Sequence, residues 1–480
     1  MSRPALPLRS AAALLAAALS ACTAVGPDHR RPEVALPASF DAGAAQPAPA
    51  VQPRWWTLYG DPTLERLVES ALERNADARA AAARVEETEA VLAQARAALF
   101  PQIDLQGGSA RTRASRLNAV PLFPGVPVIQ DTNRAVLSTT FELDFWGRLR
   151  RADEAARAQA LASRYGVGVV AISLASAVAQ TYFAMRSLEA QIESTTETVA
   201  AREGSLDLAR RRAQGGVASG LDVQQASSSL SEARLQLREL QRQRANVEHQ
   251  LSVLAGSPGA AVAAGNRLAA LPLPPVPPAG LPSTLLERRP DVLQAEQTLA
   301  SATALIGVAR AQQYPTFSLT GFFGGQAADL GDVLRPDARV WSLGANLLAP
   351  IVDAGRFAAR TREAEARAEQ AAAQYERAVQ AAWREVADAL DNLCAATESE
   401  ADVAIRRDAA REALRLTQIR YEAGYSGYLE VLDAQRTVNA AELAAIQNRQ
   451  ARLAYSVDLM KALGGGWQLP AAAPAPAARR

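Results

Sequence analysis

The sequence predicts a mainly helical chain built as a tandem repeat, in which each repeat adds two short strands to a membrane β-barrel that several chains must share. Three observations predict it. The two halves of the chain match each other along their length, each half holds a pair of period-two segments, and each holds a helical stretch longer than a globular core requires. The composition agrees: 49% of the 480 residues are hydrophobic. Much of that share is alanine, which favours long, closely packed helices over a bulky core.

The repeat comes first, because missing it would misread everything else. Leu72-Glu73-Arg74-Asn75-Ala76-Asp77 matches Leu286-Glu287-Arg288-Arg289-Pro290-Asp291, and without a gap the same offset carries Ala95-Arg96-Ala97 and Pro101 onto Ala309-Arg310-Ala311 and Pro315. Gly147-Arg148 matches Gly355-Arg356, and Arg212, Gly216, Leu221, Val223 and Ala226 match Arg420, Gly424, Leu429, Val431 and Ala434. Repeat 1 therefore occupies residues 61–256 and repeat 2 residues 283–466. Between them, residues 257–282 are dense in proline, which neither propagates a helix nor pairs in a central strand.

Within each repeat the expected order is helix, two strands, very long helix, tight turn, helix. Strands are expected at about 102–112, 134–145, 316–325 and 340–351. Leu137, Thr139, Phe141, Leu143 and Phe145 alternate with Ser138, Thr140, Glu142 and Asp144, and Trp341, Leu343, Ala345, Leu347 and Ala349 alternate with Ser342, Gly344 and Asn346. Ile103 and Leu105, then Phe317 and Leu319, repeat the pattern in the first strand of each pair. Each segment is about ten residues long, enough for a tilted strand to cross a bilayer. Four strands cannot close a barrel, and open edges in lipid would leave amides unpaired, so copies of the chain must join.

The long helices give a second dimension. No proline interrupts residues 147–213 or 355–423, and at 1.5 Å per residue such a helix is roughly 100 Å long. A helix of that length without a globular core belongs to a coiled coil or a helical tube. Tip turns at 214–220 and 422–428, with Gly216 and Gly424 suited to helix C-termini, send the chain back antiparallel.

The N-terminus reads as an address. Arg3 and Arg9 precede an apolar run over residues 11–19 that is too short to span a bilayer, so residues 1–21 are expected to be a signal peptide. Leu19-Ser20-Ala21-Cys22 resembles a bacterial lipobox, which makes Cys22 an acylated N-terminus and residues 22–60 a lipidated arm. Residues 467–480 are expected to form a disordered tail. The second cysteine, Cys394, lies in a helical pattern and reads as structural. With 51 basic against 50 acidic residues, no whole-chain field favours nucleic acid.

Asp61-Pro62-Thr63-Leu64, the run from Leu286 to Asp291 with Ala295-Glu296, the run from Ala309 to Pro315, Asp353-Ala354-Gly355-Arg356 and Leu432-Asp433-Ala434-Gln435 together resemble the TolC/OprM outer-membrane factors. Val25-Gly26-Pro27-Asp28 with Arg31-Pro32 resembles the lipoprotein branch that serves resistance-nodulation-division pumps. The resemblance implies a homotrimer with a twelve-strand barrel and a long helical tunnel, encircled by an equatorial belt built from the linker and chain ends. It implies a passive efflux duct across periplasm and outer membrane of a Gram-negative bacterium, with a periplasmic adaptor and an inner-membrane pump as partners. By the same resemblance Arg420, Tyr421, Leu429 and Asp433 fall on the inner tip helices that close the duct. Leu429 would form an apolar ring, Asp433 an acidic one that favours cations, and Arg420 or Tyr421 would link to a neighbouring helix, with Asp222 as a partner. The turns at Gly216 and Gly424 would meet the adaptor.

Comparing the repeats sharpens those choices. Asp222 and Glu430 are equivalent, and Ser219 lies three residues before Asp222, so this acid also reads as a helix cap. Asp433 stands where repeat 1 has Gln225, and Tyr421 where it has Ala213, so symmetry did not require them. Leu429 also reads as ordinary coiled-coil packing. Catalysis is not expected: His29 and His249 lack metal-ligand spacing, no P-loop is present, and no metal or cofactor is called for beyond the lipid on Cys22. The rival reading is an adaptor or scaffolding coiled-coil lipoprotein, which would have no use for paired bilayer-length strands.

Overall fold

The computed structural model describes residues 24–37, 40, 51–115, 127–276 and 288–468. The signal peptide, Cys22, the end of the proline-rich linker and the tail beyond Gln468 lie outside the described residues. The chain forms two compact units, one from residues 1–32, 85–162 and 295–375, the other from residues 33–84, 163–294 and 376–480.

The first unit contains an antiparallel sheet of four strands in the order β1-β2-β3-β4. These are Gln102–Arg113, Ile129–Leu143, Thr316–Ala327 and Arg339–Leu348. Pairing sets Leu105 opposite Leu137, Leu137 opposite Phe323, and Phe323 opposite Trp341, so one apolar row crosses the sheet. Those four side chains are exposed, as are Ile103, Leu343 and Leu347 on the same face. The other face carries Asp104, Ser138, Thr140, Thr320, Ser342 and Asn346. A dry outside and a wet inside are what a bilayer-spanning strand needs. β1 and β4 each have one unpaired edge.

β2 stops at Leu143 rather than Phe145 because Asp144 is needed elsewhere. Its carboxylate accepts from the Leu149 and Arg150 backbone N–H groups at 3.1 and 3.0 Å, capping the long helix α3, Arg148–Gln214. In repeat 2, Asp353 does the same for α6, Arg356–Glu422, accepting from Gly355 and Phe357 at 3.0 and 2.7 Å. The N-terminal arm is strapped to this unit. The Val25 N–H donates to the Trp146 carbonyl at 2.9 Å, Arg151 holds Asp28 at 2.7 Å, and Arg31 grips Glu296 through both oxygens, at 2.9 and 2.6 Å.

The second unit has the larger core. Trp55, Trp56, Tyr59, Leu64 and Val68 pack with Leu174, Val178, Tyr182, Phe183, Leu453 and Val457. By length and composition α3 could cross a membrane alone, yet half of its most apolar window is buried in the protein. Asp61 ties this core to the linker. It caps the helix Pro62–Arg74 by accepting from Thr63 at 2.8 Å, and it also accepts from the Tyr182 hydroxyl at 2.5 Å and the Asn266 backbone at 2.9 Å. In the second repeat, buried Arg289 donates to Asp291, to Glu385 and to the Ala462 carbonyl at 2.6, 2.7 and 2.9 Å.

Candidate functional site

The two 67-residue helices α3 and α6 end alike, and the ends build the tip. Gly216 and Gly424 take φ of 75° and 81°, which only glycine adopts cheaply. Val217 donates to the Arg212 carbonyl at 3.0 Å and Tyr425 to the Arg420 carbonyl at 2.8 Å, the closing bond of a Schellman cap in both repeats. Ser219 then caps α4, Gly220–Leu254, accepting from the Asp222 N–H at 3.4 Å. Gly427 precedes α7, Tyr428–Ala462, without a side-chain cap. Val217, Leu221, Tyr425 and Leu429 are exposed around these turns.

Between the two hairpins lies a small apolar core of Leu206, Ala209, Ala226, Leu230, Tyr421, Tyr428, Val431 and Leu432. Tyr421 is only 5% exposed and meets the Tyr428 ring edge-on at 5.7 Å. Its hydroxyl finds no hydrogen-bond partner, and neither does that of Tyr428. Burial pushes both phenols above their ordinary pKa, and Asp222 adds to the rise while Arg212 opposes it for Tyr421.

One contact that joins the hairpins at the tip comes from a residue the sequence reading passed over. Arg212, in the last turn of α3, donates to the Tyr421 carbonyl at 2.5 Å, and its guanidinium lies 4.5 Å over the Tyr421 ring. Within one chain no hydrogen bond joins Tyr421 or Arg420 to Asp222 among the described residues. Asp222 interacts with Ser219 instead, at 3.4 Å, and the Arg420 side chain is exposed without an ion pair among the described residues. Arg212 was legible in one way only: it is the repeat partner of Arg420, and a search among unshared residues discards it.

Leu429 is 64% exposed and Asp433 is exposed one turn further along α7, so neither is packing its own chain's core. Deeper along the hairpins, Arg202 is buried and donates to the Ser229 carbonyl at 2.6 Å, with Glu232 at 3.5 Å; Glu232 also meets Arg436 at 3.6 Å. Gln435 donates to Ser205 at 2.9 Å. Polar contacts of this kind join helices whose apolar surface is small. Among the described residues no group of three or more histidine, cysteine or acidic side chains is arranged to hold a metal.

Known proteins match most of this chain. The family described as outer membrane efflux protein matches residues 67–257 and 281–465. The chain is 34% identical over 462 residues to the outer membrane protein OprJ of Pseudomonas aeruginosa, covering 95% of each chain. It is 35% identical over 420 residues to the pyoverdine export outer membrane protein OpmQ of the same species, covering 86% of this chain and 88% of that one. Its fold matches the crystal structure of the open state of the MtrE outer membrane channel of Neisseria gonorrhoeae with a TM-score of 0.82 and 28% identity, over 92% of this chain and 98% of that one.

Proposed function

Because the chain belongs to the outer membrane efflux protein family and is an outer-membrane efflux channel, we propose that three copies form a passive duct gated at the periplasmic tip. The carrying observation is the four-stranded sheet with an apolar outer face and two unpaired edges, which in lipid must be satisfied by neighbouring copies. Three copies give a twelve-strand barrel, as the family resemblance implies. The duct does no chemistry of its own. An inner-membrane pump of the resistance-nodulation-division type supplies energy, a periplasmic adaptor docks at the turns around Gly216 and Gly424, and Cys22 carries the lipid anchor.

Closure is assigned to the tip. Three copies of Leu429 ring the neck with apolar surface, and three of Asp433 ring it with like charges that admit cations more readily than anions. Tyr421, buttressed by Arg212, holds the second hairpin against the first, and Asp222 and Arg420 shape the ends of the helices beside it. The open state solved for MtrE supports gating as a property of such channels.

Single-channel conductance in a planar bilayer, wild type beside Leu429→Ala/Asp433→Ala, tests this reading. A small cation-preferring conductance in the wild type should rise and lose its ion preference in the variant. Unchanged traces would remove the gate assignment, and silence from both proteins would remove the duct.

A further inference from the structure

The two repeats enter their long helices differently. After β2, Phe145 meets Phe317 edge-on at 5.0 Å, and Trp146 stacks on Tyr314 at 4.7 Å while donating to the Pro315 carbonyl at 2.8 Å. The cations that follow are neutralised, Arg148 by Glu142 at 2.6 Å and Arg150 by Asp144 at 3.3 Å. After β4 none of this happens. Ile351 and Val352 stand 88% and 90% exposed. Arg356 and Arg360 both lie over the single ring of Phe357, at 4.6 and 5.8 Å, and neither forms an ion pair among the described residues. Gln312 steadies Arg360 at 3.0 Å, and the Asp353 carboxylate, bonded to the helix backbone, feels the Arg356 charge without forming an ion pair with it.

Both guanidinium groups lie on one ring without an ion pair, so an anion bound beside that ring gains from two positive charges. The apolar neighbours say where the anion comes from. Ile351 and Val352 follow within four residues of the last residue of β4, the strand whose Trp341, Leu343 and Leu347 are exposed, and so lie just past the end of that apolar row. An exposed aliphatic pair followed by two exposed arginines that form no ion pair among the described residues suits the boundary between acyl chains and phosphates.

We infer that this corner binds an anionic phospholipid of the inner leaflet of the outer membrane. Ile351 and Val352 enter between acyl chains, Arg356 and Arg360 take the headgroup phosphate, and Phe357 holds the two guanidinium planes in place. The lipid fixes the depth of repeat 2 in the bilayer. The site rests on the outer-membrane location and not on the tip gate.

The test is native mass spectrometry of the full-length trimer titrated in detergent with phosphatidylglycerol or phosphatidylcholine. Wild type should retain phosphatidylglycerol in preference. Arg356→Gln/Arg360→Gln should weaken that retention about twenty-fivefold, roughly fivefold for each cation, and leave phosphatidylcholine unchanged. Should the double variant not assemble, Arg356→Gln alone removes an exposed cation and no hydrogen bond, and should lose roughly fivefold. Ile351→Ser/Val352→Ser should weaken both lipids while the trimer persists. Equal phosphatidylglycerol retention by wild type and the glutamine variants overturns the proposal. So does dissociation of the trimer on replacing Ile351 and Val352, which would assign the patch to a neighbouring copy.

Discussion

Arg212 and Tyr421 are joined twice, once by a 2.5 Å hydrogen bond to the Tyr421 backbone and once by a guanidinium 4.5 Å above its ring. The joint uses the carbonyl and the ring face and leaves the phenol oxygen unbonded. That division makes the two side chains separable by mutation.

Removing the guanidinium should loosen the tip while removing the hydroxyl should not. Arg212→Ala loses a charge-assisted bond worth about 1.5–3 kcal/mol, and single-channel conductance should rise severalfold. Tyr421→Phe keeps the ring and the carbonyl, and its conductance should match wild type. A leaky Tyr421→Phe channel would mean that the hydroxyl is used in the closed trimer.

The same aromatic pair sets a pH dependence on the alkaline side. Burial raises both phenols above the ordinary value of 10, so the neutral form is favoured in the folded tip. Their contribution is complete below pH 10 and is lost as pH rises through the elevated values. Conductance followed from neutral to strongly alkaline pH should increase only above 10, the ordinary value of these phenols. The rise should vanish in Tyr421→Phe/Tyr428→Phe.

Gly147 and Gly355 occupy equivalent turns with φ of 78° and 84°. Alanine costs about 1–2 kcal/mol in backbone strain at either position. At Gly355 the added methyl meets open space, whereas at Gly147 it runs into Ala24 of the N-terminal arm. Heat dissociation of the trimer should therefore be lowered more by Gly147→Ala than by Gly355→Ala, and the order should reverse for no preparation.

Asp61 accepts four hydrogen bonds while fully buried, two from its own helix at 2.8 and 3.4 Å, one from Tyr182 and one from Asn266. Asp61→Ala leaves those donors unsatisfied and should cost about 2–4 kcal/mol. Tyr182→Phe removes one donor only and should cost less. Thermal unfolding followed by circular dichroism ranks them, and equal losses would show that Tyr182 carries the node.

The fold class was legible because it rests on periodicity. Alternation in β2 around Leu137 and the repeat of Gly147-Arg148 at Gly355-Arg356 survive without any knowledge of contacts. The ends of strands were not. β2 begins at Ile129, and Gln130, Asp131, Thr132 and Asn133 carry no apolar alternation, so periodicity gives no sign of that end of the strand. The tip was half legible. Tyr421 and Asp433 differ between repeats and so attract notice, but Arg212 sits on a residue type both repeats share, and only the packing of two helices far apart in sequence gives it a different task from Arg420.

The unpaired edges of β1 and β4 also have a genetic consequence. A subunit cannot wait alone in the bilayer for partners, since its edges would face hydrocarbon until others arrive, so insertion and assembly must be a single event. No reservoir of membrane-embedded monomers exists from which faulty subunits are sorted out. A tip variant made beside the wild type is therefore built into most channels of the cell, and a leaky allele such as Arg212→Ala should behave as dominant, its permeability showing in cells that still make the intact protein.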